Sequence, residues 1–304
     1  MQNKKKKNSQ NREKLNGYFL KQKIVPWLIL LLPIIFTIWL KYYPILKAAY
    51  ISLFEYDPIH QPGSFVGFKN YISMFKTKFY WEAWKNTFVF LILQIAMVFF
   101  IPIIQALFLN ELRRMKNTVA TMYLLPALIP TSINVIVWRW IWHPDYGVAN
   151  QIIRFFGGTP QLWLSDPKLV KFAIIFPGVI GGGISVLLYL SAIQNVSADI
   201  MESAALDGCT GWKRIWYMIL PNIRYIIFIQ LIIAVSTAMQ MLDAPYMFAS
   251  GGPSGASTTQ GIYIYNAFNQ DYNYGRGSAA SVVLMGTVII MTMIQMHFEN
   301  AEKE

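Results

Sequence analysis

The chain has one cysteine, Cys209, among 304 residues. A disulfide within the chain is therefore excluded, and so is a zinc site built on paired cysteines. Histidine is as scarce. His60, His143 and His297 lie far apart in sequence and read as loop or interfacial residues, so no metal site is expected. Charge is also thin: Asp, Glu, Lys and Arg make up 13% of the chain and hydrophobic residues 55%, against about 25% charged residues in an ordinary soluble domain. No phosphate-binding loop with its lysine is present; the glycine-rich stretch from Gly251 to Gly255 lacks that lysine and reads as a turn. No nucleophile and base pair stands out, so no catalytic residue is assigned. The net charge of +11 does not form a basic stripe interleaved with aromatics, which argues against nucleic acid.

What the chain does have is long apolar runs. A membrane-crossing helix needs about 20 mainly apolar residues, and six runs qualify: 24–46, 87–109, 118–142, 169–193, 222–244 and 278–298. The first is longer than the core of a signal peptide and no small-residue cleavage site follows it, so it reads as a span. Lys41 and Pro44 interrupt its outer end, leaving open a stop near Leu40. The fold class expected is an all-α membrane protein with six transmembrane helices. It divides into a basic tail 1–23, a membrane domain 24–298 containing a loop at 194–221, and a short C-terminus 299–304.

Basic residues set the orientation. Lys4 to Lys7, Arg12, Lys14, Lys21 and Lys23 precede the first span; Arg113, Arg114 and Lys116 follow the second; Lys213, Arg214 and Arg224 follow the fourth. These segments share one side, which predicts cytoplasmic termini and a multi-pass protein of the cell membrane. Trp138, Trp140, Trp142, Tyr42 and Tyr43 read as aromatic belts at span ends. The buried Asp, Glu or His of coupled transporters and proton pumps is missing, because Arg139 and Asp243 sit near outer span ends. Pro33, Pro102, Pro126, Pro130 and Pro177 fall inside spans and predict kinks, while Gly178 and Gly182 predict close helix contact.

The loop between the fourth and fifth spans is the most informative segment. Ser197 and Thr210 suit helix caps, Asp207-Gly208 suits a break, and Trp212, Ile215, Trp216 and Ile219 recur at helical spacing. Two short helices around a turn are predicted. They suit either a docking knob for a partner or an interfacial amphipathic helix.

The same segment resembles the signature loop of ABC importer permeases: Glu-Ala-Ala, three residues, Gly, nine residues, then Ile-x-Leu-Pro. Glu202, Ala204, Gly208, Leu220 and Pro221 match at that spacing, Ser203 replaces an Ala and Met218 the Ile. Asp207 before Gly208 is similar to the carbohydrate members, which usually carry Ala where Cys209 stands. The likeness runs over nearly the whole chain after the tail, through Val66-Gly67-Phe68-Lys69-Asn70-Tyr71, Trp138-Arg139-Trp140, Gly147-Val148-Ala149-Asn150, Gly251-Gly252-Pro253, Ser257-Thr258, Tyr263-Ile264-Tyr265, Ala267-Phe268 and Gly275. That set looks like the first permease of the maltose and glycerol-phosphate type.

The resemblance implies a type I ABC importer permease fold and a sugar or oligosaccharide as cargo, with glycerol phosphate as the alternative cargo. An ATP-independent secondary transporter is the rival class. The implied partners are a second homologous permease, two ATPase subunits and an extracellular solute-binding protein. ATP and magnesium would sit on the ATPase, so this chain needs no cofactor and is not an enzyme. Glu202, Ser203, Ala204, Ala205, Asp207, Gly208 and Gly211 would form the coupling helix, seated in a groove of the ATPase. The residues themselves leave the substrate path less legible. Polar side chains within spans include Gln94, Gln105, Asn134, Ser185, Gln230, Ser236, Thr237 and Gln240, with Asp243 beside the last. Asn134, Gln230, Ser236, Thr237, Gln240 and Asp243 are the path candidates; Ser236 and Gln240 are four apart and share a face. Hydrogen bonding between helices is the competing role for each.

Overall fold

The computed structural model describes residues 25–56, 63–112 and 114–301. The basic tail 1–23, Ile24, His60, Arg113 and residues 302–304 lie outside the described residues. In chain order the elements are α1 (Val25–Ile51), β1 (Phe54–Glu55), β2 (Ser64–Phe65), α2 (Lys69–Phe75), α3 (Lys78–Glu111), α4 (Lys116–Leu128), α5 (Thr131–Ile141) and α6 (Val148–Phe155). There follow α7 (Val170–Ile180), α8 (Gly183–Gln194), α9 (Ala198–Leu206), α10 (Trp212–Met239), α11 (Asp243–Ala249), α12 (Gln260–Asn269) and α13 (Tyr274–Ala301). The two strands pair antiparallel, Phe54 opposite Phe65.

Helices α1, α3, α10 and α13 are each long and apolar enough to cross a membrane. The other two expected crossings are bent pairs. The predicted rod 118–142 breaks between α4 and α5 by 94°, and 169–193 breaks between α7 and α8 by 47°. In the first case Ile129 lies in the extended region immediately before Pro130. Proline crowds the residue ahead of it out of the α region, so the helix cannot continue. In the second, a side chain at Gly182 would meet the Gln105 Oε1 at 2.0 Å, and Gly183 turns the chain at φ +50°. Gly178 does provide the close approach its spacing suggested: a Cβ there would lie 3.0 Å from Val98 on α3.

Three of the prolines that bend nothing sharply share a local reason. A proline ring inside a helix strikes the carbonyl four residues back. For Pro44, Pro102 and Pro221 those carbonyls belong to Leu40, Val98 and Tyr217. Each lies in a π-helical turn: Ile38–Tyr42, Gln94–Phe99 and Ile215–Ile219. The wider turn accommodates the ring and lets the helix run on. Hence α1 passes Pro44 and ends at Ile51, beyond the expected stops at 40 or 46.

The fifth span is shifted. Helix α10 starts at Trp212, ten residues before the predicted start at 222, so the expected second short helix is its first turns. It stops at Met239, and Asp243 opens the separate helix α11. Asp243 therefore does not belong to the face that carries Ser236 and Gln240.

Three apolar clusters hold the bundle. One joins α3 to α8 and α10 through Phe99, Ile103, Ala106, Leu109, Val186, Tyr189, Leu190, Ile193, Ile219 and Ile223. A second joins the start of α3 to the end of α10, to α12 and to α13 through Tyr80, Trp84, Met239, Tyr263 and Leu284. The third gathers Phe90, Trp138, Trp142, Ile174 and Phe248 from α3, α5, α7 and α11. Trp138 and Trp142 are therefore core residues at 9% and 4% exposure, not members of an interfacial belt; Trp140 is exposed, at 68%. Every residue of α1 from Val25 to Lys47 is exposed, and only its last turns pack, mainly on α13.

Candidate functional site

At one end of the bundle α9 stands out from the spans. Ser197 occupies its N-cap position with no side-chain cap bond, and the cap of the following helix is Gly211, not Thr210. The helix begins without a capping hydroxyl but ends in a complete Schellman motif. Cys209 N–H donates to the Ala204 carbonyl at 2.8 Å and Gly208 N–H to the Ala205 carbonyl at 3.1 Å, with Gly208 at φ +72°. This is the left-handed cap that glycine adopts without strain. No atom lies within 4 Å of a Cβ built at Gly208 or Gly211, so their backbone faces open space.

Ala204 is the buried residue of α9, and Met201, Val196 and Ile215 pack on the α3–α8–α10 cluster from below. The other residues expected in the coupling helix point away. Glu202, Ser203, Ala205, Asp207, Gly208 and Gly211 are exposed, and Leu206 is 90% exposed. The predicted stripe splits: Ile219 is buried and Ile215 half-buried, whereas Trp212 and Trp216 face outward. The cause is the π-helical turn, which changes the angular step between Trp212 and Ile219. Arg214 forms an ion pair with Glu111 at the end of α3, tying the loop to that helix.

Midway along α3, 16 residues after Lys78 and 17 before Glu111, Gln94 opens onto a cavity of about 180 Å³. Ser185, Tyr189, Gln230 and Thr237 complete its polar lining, with Val98, Phe99 and Pro102 from the π-helical turn and its proline. Ser185 Oγ donates to Gln230 Oε1 at 3.2 Å. Thr237 Oγ1 donates to the Ile233 carbonyl at 2.8 Å, a back-bond that uses its proton within its own helix. The Tyr189 hydroxyl is buried without a hydrogen-bond partner, which leaves it free for a guest.

Of the six path candidates, the structure brings Gln230 and Thr237 to this cavity. Gln240 lines a different one, of about 340 Å³, with Ile264, Ser281 and Leu284. Its Nε2 donates to the Ser236 carbonyl at 3.0 Å, so the four-residue spacing places the pair together, as a bond within one helix. Asn134 and Asp243 are exposed and line neither cavity. Gln94, Ser185 and Tyr189 are not among those six residues. Gln94 carried a signal: it is the sole hydrogen-bonding side chain in the apolar run 88–104. Tyr189 carried none.

The opposite end of the bundle is closed by the segment 250–260. Asn86 Nδ2 donates to the Gly255 and Thr258 carbonyls at 2.9 Å each. Gln260 N–H donates to Thr87 Oγ1 at 2.9 Å and its Nε2 to the Tyr80 carbonyl at 3.1 Å. Thr259 Oγ1 donates to the Met241 carbonyl at 2.6 Å and accepts from Ile262 N–H, capping α12. Ser257, Thr259 and Gln260 are fully buried. The glycine-rich stretch is thus a plug bonded to α3, beyond the simple turn its composition suggested. On α12, burial pushes the Tyr263 phenol above the usual tyrosine range.

Comparison with known proteins gives a consistent result. Residues 15–302 match the family described as binding-protein-dependent transport system inner membrane component. The sulfoquinovosyl glycerol transport system permease protein SmoG of Agrobacterium fabrum is 29% identical over 255 residues, 83% of this chain and 82% of that protein. The trehalose/maltose transport system permease protein MalF of Thermococcus litoralis is 28% identical, covering 93% of each. A chain of a bacterial alginate ABC transporter, solved with an alginate pentasaccharide-bound periplasmic protein, superposes with a TM-score of 0.84 over 94% of this chain and 97% of that one, at 22% identity. At that identity the likeness establishes the fold.

Proposed function

The chain belongs to the family of binding-protein-dependent transport system inner membrane components, and on that premise we propose that it is the permease subunit of an ATP-driven ABC importer for a sugar or oligosaccharide. Its partners are a second permease of the same kind, two ATPase subunits and a solute-binding protein on the outer side. The termini and α9 face the cytoplasm. The sugar character of the cargo is supported by the relatives, which carry sulfoquinovosyl glycerol and trehalose or maltose.

The observation that carries this reading is the α9 loop. Ala204 is buried, Met201 and Ile215 pack on the α3–α8–α10 cluster and Arg214 ties the loop to α3, yet its tip is exposed and uncrowded. A rigid, apolar-footed knob with small residues at its tip seats in a groove of a partner, and Glu202 supplies a charge for basic groups there. When the ATPases close on ATP, the knob moves with them. The motion passes through the α3–α8–α10 cluster to the cavity around Gln94, Ser185, Tyr189 and Gln230, where amide and hydroxyl groups suit a polyhydroxylated guest. At about 180 Å³ the cavity must widen for an oligosaccharide, and the π-helical turn and broken helices beside it are the places where the backbone can give. Alternating access is the mechanism this implies.

The test is affinity purification of the tagged chain from its host, followed by partner identification and a substrate-stimulated ATPase assay. Recovery of a second permease with an ATPase, and ATP hydrolysis stimulated by a sugar-loaded binding protein, is expected. Stimulation by glycerol phosphate alone would move the cargo assignment. Stable transport by the isolated chain without ATP would overturn the importer reading.

A further inference from the structure

Helix α6 links the ends of α5 and α7 at the plug end of the bundle, opposite α9. Val148, Ile152 and Phe155 recur at i, i+4 and i+7 and so share one face. That face is turned outward: Phe155 is 85% exposed, Phe156 beside it 81%, and Tyr146, Val148 and Ile152 each more than half. The opposite face is pinned. Asn150 is fully buried and its amide makes four hydrogen bonds. Nδ2 donates to the Pro144 and Gln161 carbonyls at 2.8 and 2.9 Å, and Oδ1 accepts from Gln161 N–H at 3.0 Å and Trp163 Nε1 at 2.9 Å. A side-chain amide has no capacity beyond this, so α6 cannot roll to hide its apolar face. A Schellman closure follows, with Gly158 N–H on the Ile153 carbonyl and Gly157 N–H on that of Arg154. It holds the two phenylalanines at the helix tip.

We infer that α6 is a membrane-interface anchor whose apolar face inserts into the lipid leaflet at the end of the bundle opposite α9. Two observations choose lipid over a protein partner. First, the surface is continuous with that of a membrane span. Trp140 on α5 is exposed and meets Tyr146 edge-on at 6.2 Å, and Tyr146 leads directly into Val148, Ile152, Phe155 and Phe156. Second, only six residues separate Ile141, the last of α5, from Val148. That tether is folded into turns, with Trp142 N–H on the Trp138 carbonyl, His143 N–H on that of Trp140 and Gly147 N–H on that of His143, so α6 is held close to the end of α5 and to a headgroup layer about 5–7 Å deep on each side. Gln151 and Arg154 are exposed at the polar edge, with Arg154 placed to meet lipid phosphate. The arrangement is that of a helix lying in the plane of the interface. It rests on the chain crossing the membrane and is independent of the cargo and of the ATPase.

The single cysteine makes the test direct. With Cys209→Ser as background, nitroxide labels are attached at Phe156→Cys and Gln151→Cys in the assembled transporter in lipid nanodiscs. Relaxation by oxygen, which partitions into lipid, is compared with relaxation by a water-soluble nickel chelate. The label at 156 is expected to be relaxed several-fold more by oxygen than by nickel, and the label at 151 the reverse. Equal nickel access at both positions would place the face in water and overturn the inference. Loss of access to both reagents at 156 would show a protein covering the face and overturn it equally. The same comparison at Phe155→Cys decides the matter if the first variant does not assemble.

Discussion

The plug at 250–260 and the α9 loop at 195–211 are both connections between helices, yet they treat their polar groups in opposite ways. In the plug and the α3 residues bonded to it, Asn86, Thr87, Ser257, Thr258, Thr259 and Gln260 spend their hydrogen bonds inside the chain, and four of the six are fully buried. In the α9 loop the bonds that shape the turn are backbone bonds, and Glu202, Ser203 and Asp207 remain exposed. A segment that satisfies itself internally is a structural fastening. One that is rigid but leaves its polar and small residues unused is offered to something else. The contrast predicts that damage to the plug lowers stability, whereas damage to the α9 tip lowers coupling at constant stability.

The largest effect is expected from Asn86→Leu, which strips the donor from one buried carbonyl, Thr258, and one half-buried, Gly255. Each unpaired group costs about 1–3 kcal/mol, so the variant should lose several kcal/mol and several degrees in Tm, read by thermal unfolding in detergent. An unchanged Tm would erase the distinction between the two loops. Next, Glu202→Lys should leave Tm within a degree while ATP-coupled uptake falls about 10- to 100-fold, equivalent to about 1.4–2.8 kcal/mol of lost coupling. A parallel fall in Tm would make the α9 loop a fastening like the plug.

Gly208→Ala sharpens the contrast. The added methyl meets nothing, so its whole effect is the left-handed φ, about 1–2 kcal/mol. Reduced uptake with normal assembly is expected, with a loss in Tm of no more than a few degrees and below that of Asn86→Leu. Smallest of all is Glu111→Gln. It breaks a partly exposed ion pair with Arg214 worth about 0–1 kcal/mol. The loss in Tm should be slight and should vanish at high salt; a loss that persisted there would mean the pair is screened from solvent.

Some of this was legible in advance. The crossings could be counted because each needs its own apolar run. The α9 loop could be located because its cap glycine and charged residues interrupt those runs. The bends were partly legible: Ile129-Pro130 carries the reason for its break in the dipeptide itself. The smooth passage of α1 through Pro44 does not, because accommodation by a π-helical turn depends on where the preceding carbonyl can go. The cavity was least legible. Gln230 and Thr237 were identified as candidates, but their neighbours Ser185 and Tyr189 lie about 45 positions away. Asp243 was misplaced because the helix ends at Met239, before reaching it.

By itself the sequence determined an all-helical chain with as many as six membrane crossings and a signature loop between the fourth and fifth. These follow from composition and local order, since without water each backbone must bond within its own helix. Only the tertiary structure decided that Trp138 and Trp142 are core while Trp140 is surface. It likewise decided that the glycine-rich segment is a plug bonded to α3, and that Gln94, Ser185, Tyr189 and Gln230 surround one cavity. Those outcomes depend on which faces of distant helices meet, and burial and hydrogen bonding are properties of that meeting.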